Sequence, residues 1–218
     1  MKYLLSAVVI VFFVLASNAS AEVKIYAVEI PGLFQKDGGG IYDKIVEEQV
    51  VSKGLASIKV SPPGRTEHDF ASCDNCCLAP ANLNPDFYHF EGGAVATKPM
   101  STAKLYIFTG KGTKPISSLD TLKGKKIGVR QGMPYGKKID NAGLKTEAVT
   151  DIKFNIKKLD AGRIDAFIAY VPDAYTAFEE MGVDLYPHDE ANPIAVYPES
   201  LVCRGVSADF LESFNSGL

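Results

Sequence analysis

The chain has 218 residues, 46% of them hydrophobic, with 26 acidic against 23 basic side chains and a formal charge of −3. That length holds either one large core or two small ones, and the mildly acidic balance without a basic run argues against a nucleic-acid partner. No low-complexity tract or internal repeat interrupts it.

Met1 to Ala21 reads as a signal peptide, with Lys2, an apolar core from Leu4 to Leu15, and Ala19-Ser20-Ala21 as an A-x-A cleavage signal. The apolar run is short for a bilayer span, and no cysteine follows the signal to take a lipid. An exported, soluble, periplasmic product cleaved after Ala21 is expected.

Val23 to Ile30 has the β-branched and aromatic content of a buried strand. It ends at Pro31-Gly32, a turn that sets Glu29, Leu33 and Phe34 at the strand's carboxyl edge, where open α/β sheets place ligands. Simple packing of Phe34 is the alternative. Tyr42, Ile45, Val46 and Val50 then fall at helical spacing. Ile58 to Val60 is a second short strand, closed by Ser61-Pro62-Pro63-Gly64, and Arg65 begins the next helix. Pro80 to Gly93, rich in Asn, Pro and aromatic residues, is a loop. Lys104 to Thr109 is a strand.

Leu122 to Gly136 combines a basic turn, a strand from Lys126 to Val129, a glycine-bearing loop and a helix opened by Pro134. A glycine beside a helix N-terminus lets backbone N–H groups face a ligand, so Arg130, Gln131, Gly132, Met133 and Tyr135 are candidate contacts. Ile152, Ile156 and Leu159 then mark a helix face with Gly162 as its stop. The strand Ala166 to Tyr170 follows. Asp173 is either a cleft residue or, with Pro172, an ordinary helix start. Val183 to Tyr186 reads as a further strand, and Tyr186 to Glu190 as a solvated turn. Ser200 to Cys203 is a return strand, before a last helix with Phe210, Leu211, Phe214 and Leu218 on one face.

LKGKKIGVRQGMPYG (Leu122 to Gly136) and LDAGRIDAFIAY (Leu159 to Tyr170) resemble the second-lobe motifs of family three of the bacterial extracellular solute-binding proteins. Weaker matches are IPGLF (Ile30 to Phe34) and ATKPM (Ala96 to Met100). The resemblance implies an α/β, two-lobed periplasmic-binding-protein-like fold of type II. Each lobe would be a mixed, mainly parallel sheet flanked by helices, with the ligand cleft between lobes. Lobe one would comprise residues 22–109 and 201–218, and lobe two residues 110–200. A monomer without cofactor, metal or catalytic residues is expected, binding a small polar solute and serving an ABC permease, or alternatively a sensor protein. A dehydratase-like enzyme is the remoter reading.

The same resemblance singles out Arg65, after a proline-rich turn, and Lys98 as cations near the cleft, and puts the end of the strand at Tyr170 in contact with ligand; for Arg65 the alternative is a surface arginine paired with Glu67 or Asp69. It also exposes departures. Amino-acid binders of this family place an arginine between the positions of Arg65 and Arg130, and none stands there. Where they carry an aspartate for the ammonium group this chain has Tyr170, and Met133-Pro134 replaces hydroxyl residues. Ordinary α-amino acids are therefore expected to bind poorly.

Cys73, Cys76 and Cys77 with distant Cys203 lack a second pair of ligands at zinc-finger spacing, and in an oxidising compartment they read as disulfides, with three complete pairings possible. The strand order implied by the resemblance sets Cys76 or Cys77 beside Cys203. A local bridge from Cys73 is the competitor.

Overall fold

A computed structural model describes residues 21–90 and 92–218; apart from Ala21, the expected leader lies outside the described residues. In the first half, β1 (Val23–Val28) runs parallel to both β2 (Ala56–Ser61) and β3 (Cys76–Ala81). Its side chains alternate as a pleat requires, with Val23, Ile25 and Ala27 buried and Lys24 exposed. In the second half, β6 (Lys126–Arg130) lies parallel to β7 (Lys145–Val149) and β8 (Ala166–Val171), and β8 is antiparallel to β5 (Ser101–Thr109).

The halves are joined through β9 (Ala195–Arg204). Its residues from Ser200 onward pair with β3, and Ala195 to Glu199 pair with β5, giving the order β2-β1-β3-β9-β5-β8-β6-β7. The short β4 (Val95–Ala96) pairs with β9 just before the chain first crosses between halves. β5, which the sequence groups with the first lobe, makes its ladder bonds to β8 and to the first half of β9, and so sits among second-half strands.

Helices cover the sheet where their apolar stripes require it. α1 (Ile41–Val46) continues into a π-helical turn, Glu47–Val51, and buries Tyr42, Val46 and Val50 against β1 and α6 (Ala208–Asn215), whose Phe210 and Phe214 close that core. α2 (Pro63–Ala71) packs Phe70 on the opposite face. In the second half, α4 (Ile152–Asp160) and α5 (Asp173–Glu180) lie over Phe108 and Phe167. α4 follows its sequence pattern closely. Ile152, Ile156 and Leu159 are buried, the Asp151 carboxylate accepts from the Lys153 amide at 2.8 Å as an N-cap, and Gly162 follows at φ +63°.

Both kinds of cysteine bridge form together. Cys77 and Cys203 are register partners on β3 and β9 with Cα atoms 3.9 Å apart, and Cys73 bonds Cys76. Antiparallel neighbours bring facing side chains within reach of a bond, which selects Cys77 over Cys76.

Three expectations fail. The helix after Gly132 does not open at Pro134; α3 (Lys137–Asp140) is a single turn that begins only after Gly136, at φ +85°. Val183 to Tyr186 has no ladder partner and is not a strand, and the turn that follows is not all solvated. His188 is 8% exposed, wedged against Tyr106 and Phe108 and 2.8 Å from the Tyr175 hydroxyl.

Candidate functional site

The carboxyl ends of β1 and β3 from one half, and of β6 and β8 from the other, point to the same gap, as open α/β sheets arrange their sites. The gap is narrow. Arg130, at the end of β6, donates from Nη2 to the Glu29 carbonyl at 2.7 Å. Phe87 of the loop after β3 packs on Gly136 and on Tyr197, while the Lys137 amide donates to the Asp86 carbonyl at 3.0 Å. A Cβ on Gly132 would lie 3.0 Å from the Gly64 nitrogen and 3.1 Å from the Pro63 side chain. The halves are thus closed on each other.

Between them remains a cavity of about 30 Å³, room for roughly one or two waters. The first half contributes Val28, Ile30 and Leu33 from β1 and its turn, Pro63 and Glu67 from α2, the end of β3 through Asn82, and Tyr88. The second half contributes Gly132, Met133, Pro134, Tyr170, Val171 and Asp173, and β9 supplies Tyr197 and Glu199 where it passes between halves.

Its polar groups are deeply placed. Asp173 begins α5 and is 3% exposed, and its Oδ1 is buried with no hydrogen-bond partner. Burial pushes its carboxyl up to about 7, with the nearby Arg130 guanidinium and the α5 amides pulling the other way and Glu199 adding to the rise. Glu199, 8% exposed, accepts a hydrogen bond from the Tyr42 hydroxyl, and burial raises it to about 7 as well. Asn82 is 3% exposed, with Nδ2 unpartnered, and Arg130 keeps Nε and Nη1 buried without partners.

Of the residues proposed from sequence, Gly132, Met133, Tyr170 and Asp173 line this cavity. Tyr135 stands behind Tyr170, stacked at 5.6 Å, its hydroxyl accepting from the Arg130 amide at 2.7 Å. Tyr170 in turn donates to the Pro134 carbonyl. Glu29 and Arg130 border a second, more open hollow of about 610 Å³, where the Glu29 carboxylate pairs with Lys36 at 3.0 Å. Phe34 reaches that hollow but is fully buried, edge-on to Tyr42. Arg65 is exposed and paired with Asp69 at 3.3 Å. Lys98 is exposed and bonds from Nζ to the Asn215 carbonyl at 3.1 Å, outside the cavity. Gln131 is exposed, with its amide bonded to the Val149 carbonyl. Sequence reasoning missed Glu67, Asn82, Tyr88, Tyr197 and Glu199. The one available signal was a glutamate opening the apolar run that ends at Cys203. Among the described residues no cluster of His, Cys, Asp and Glu is placed to hold a metal ion.

These features define a two-lobed, type II periplasmic-binding-protein-like fold. Solved structures similar to it include the GluR0 ligand-binding core from Nostoc punctiforme in complex with L-glutamate, at TM-score 0.73 and 14% identity over 89% of this chain and 90% of that one. Holo ArgBP from T. maritima aligns at TM-score 0.65 and 15% identity, covering 90% of this chain and 88% of its own. An ancestral arginine-binding protein bound to arginine aligns at TM-score 0.59 and 20% identity over 90% of each chain. No protein-family model and no curated protein matches the chain. At these identities the likeness is one of fold.

Proposed function

We propose that the chain is a solute-binding protein that closes its lobes over a small polar molecule, acts outside the cytoplasm after loss of its leader, and hands the solute to an ABC permease. The observation that carries this is the inter-lobe cavity, lined from both halves and holding the unpartnered polar atoms Asp173 Oδ1 and Asn82 Nδ2. Buried polar groups are normally paired, so such a pair at a closing interface supports capture of a polar ligand. Solved relatives in fold are described with arginine, glutamine or glutamate bound, which supports a cleft ligand here. A thermal-shift screen across amino acids, organic acids, amines and metals tests it, since a ligand at 100 times its dissociation constant adds roughly 2.7 kcal/mol. Silence from every class overturns the proposal.

Closure itself depends on Gly132. Its φ of +75° disfavours any side chain, and a Cβ there meets the Pro63-Gly64 backbone of the other lobe. Gly132→Val is expected to hold the lobes apart, raising the radius of gyration in small-angle scattering and weakening any cleft ligand at least tenfold. Scattering and affinity identical to the parent would show that closure does not pass through this contact.

A further inference from the structure

We propose that the cleft takes a small organic amine in its cationic form, lacking a carboxylate; this rests on the cleft-binding reading and narrows it. The cavity is lined by the carboxyl groups of Glu67, Asp173 and Glu199, with no lysine, arginine or histidine among the lining residues. The cations that sequence suggested are engaged elsewhere: Arg65 with Asp69, and Lys98 with Asn215. Arg130 lies near enough to Asp173 to offset part of its charge; it donates from Nη2 to the Glu29 carbonyl, keeps Nε and Nη1 without partners, and does not line the cavity. A carboxylate ligand entering here would find carboxyl groups and no lining cation to pair with it in a poorly solvated space.

The acids alone would not make a site. The second observation is that Asp173, buried to within a few per cent, keeps Oδ1 free of any hydrogen bond while lining the cavity. Once the carboxyl is ionised this oxygen can only accept, and a primary ammonium supplies three donors and favours that ionised form. Glu199 differs, since Tyr42 already donates to it. It contributes charge more than an open acceptor. Tyr88, Tyr170 and Tyr197 also line the cavity, and their ring faces attract a cation in a way that they would not attract an anion.

The test uses the exported chain with both disulfides intact, titrated by calorimetry with methylamine, ethanolamine, choline and putrescine, and in parallel with acetate, glutamate and glucose. At least one amine is expected to bind, and Asp173→Asn is expected to weaken it at least tenfold, with Glu199→Gln as a second variant should the first not fold. Binding of acetate, glutamate or glucose without any amine overturns the inference and leaves the solute-binding reading standing. Silence from every class sinks both. Amine binding that neither variant weakens places the amine elsewhere and also overturns the inference.

Discussion

Replacing Cys77 and Cys203 together by alanine is expected to lower folding stability by about 5 kcal/mol, because that bridge closes a loop spanning 126 positions and constrains the unfolded chain accordingly. Small domains are stable by only about 5–15 kcal/mol in all, so the loss would leave the fold marginal. The cross-link joins β3 to the segment of β9 that returns from the second half, so the loop contains that entire half. Cys73 and Cys76 are three positions apart, and the same relation gives under about 2 kcal/mol for their removal. Urea melts of the two double variants, each with the other bridge intact, decide the matter. Equal losses would mean that chain entropy is not what the long bridge supplies.

Strands and helices buried on a clear face were legible in the sequence, and those without one were not. Ile152, Ile156 and Leu159 announce α4 because three apolar side chains at helical spacing have one place to go. β7 carries Lys145, Thr146 and Glu147 at the edge of the sheet, exposed or half-buried, so nothing in its residues marks a strand. The expected helix at Pro134 fails for a different reason. The loop from Gly132 to Gly136 is held in place by Pro63, Gly64 and Phe87 of the other half, contacts that no local pattern encodes.

The cavity divides along the same line. Gly132, Met133 and Tyr170 lie in motifs tied to strand ends, and could be found there. Glu199 is buried because Tyr42, 157 positions away, reaches across to it. On sequence alone it is an ordinary charge just before a short apolar strand. Arg65 is the converse case: an arginine following a proline-rich turn that faces solvent, where Asp69 one helical turn on gives it a partner.

The contribution of Asp173 and Glu199 to stability is expected to fall as pH rises from about 4 to 7, against the usual behaviour of ion-paired carboxylates. Asp173 and Glu199 are raised to about 7 from ordinary values of 3.8 and 4.5, chiefly by burial. Below the ordinary values both are protonated in the folded and unfolded chains, and their contribution to stability is most favourable. Between there and about 7 the unfolded chain sheds the protons while the folded chain keeps them, at a cost of at most roughly 4 to 5 kcal/mol for Asp173 and roughly 3 to 4 kcal/mol for Glu199. Arg130 and the first amides of α5 moderate the rise at Asp173, and the Tyr42 hydroxyl moderates it at Glu199. The half-buried or exposed acids Asp69, Asp120, Glu147 and Asp189 slope the opposite way, each held low by a hydrogen bond. They are shared by any variant and cancel in a difference. The measurement is therefore a series of urea melts from pH 4 to 8 on the parent and on the Asp173→Asn, Glu199→Gln double variant. The variant should be the more stable near pH 8, with its advantage shrinking toward pH 4; an advantage that does not change with pH would mean that these carboxyls titrate normally. A bound ammonium ion should act in the same direction as the substitutions, because it neutralises above pH 7 the charge that burial penalises.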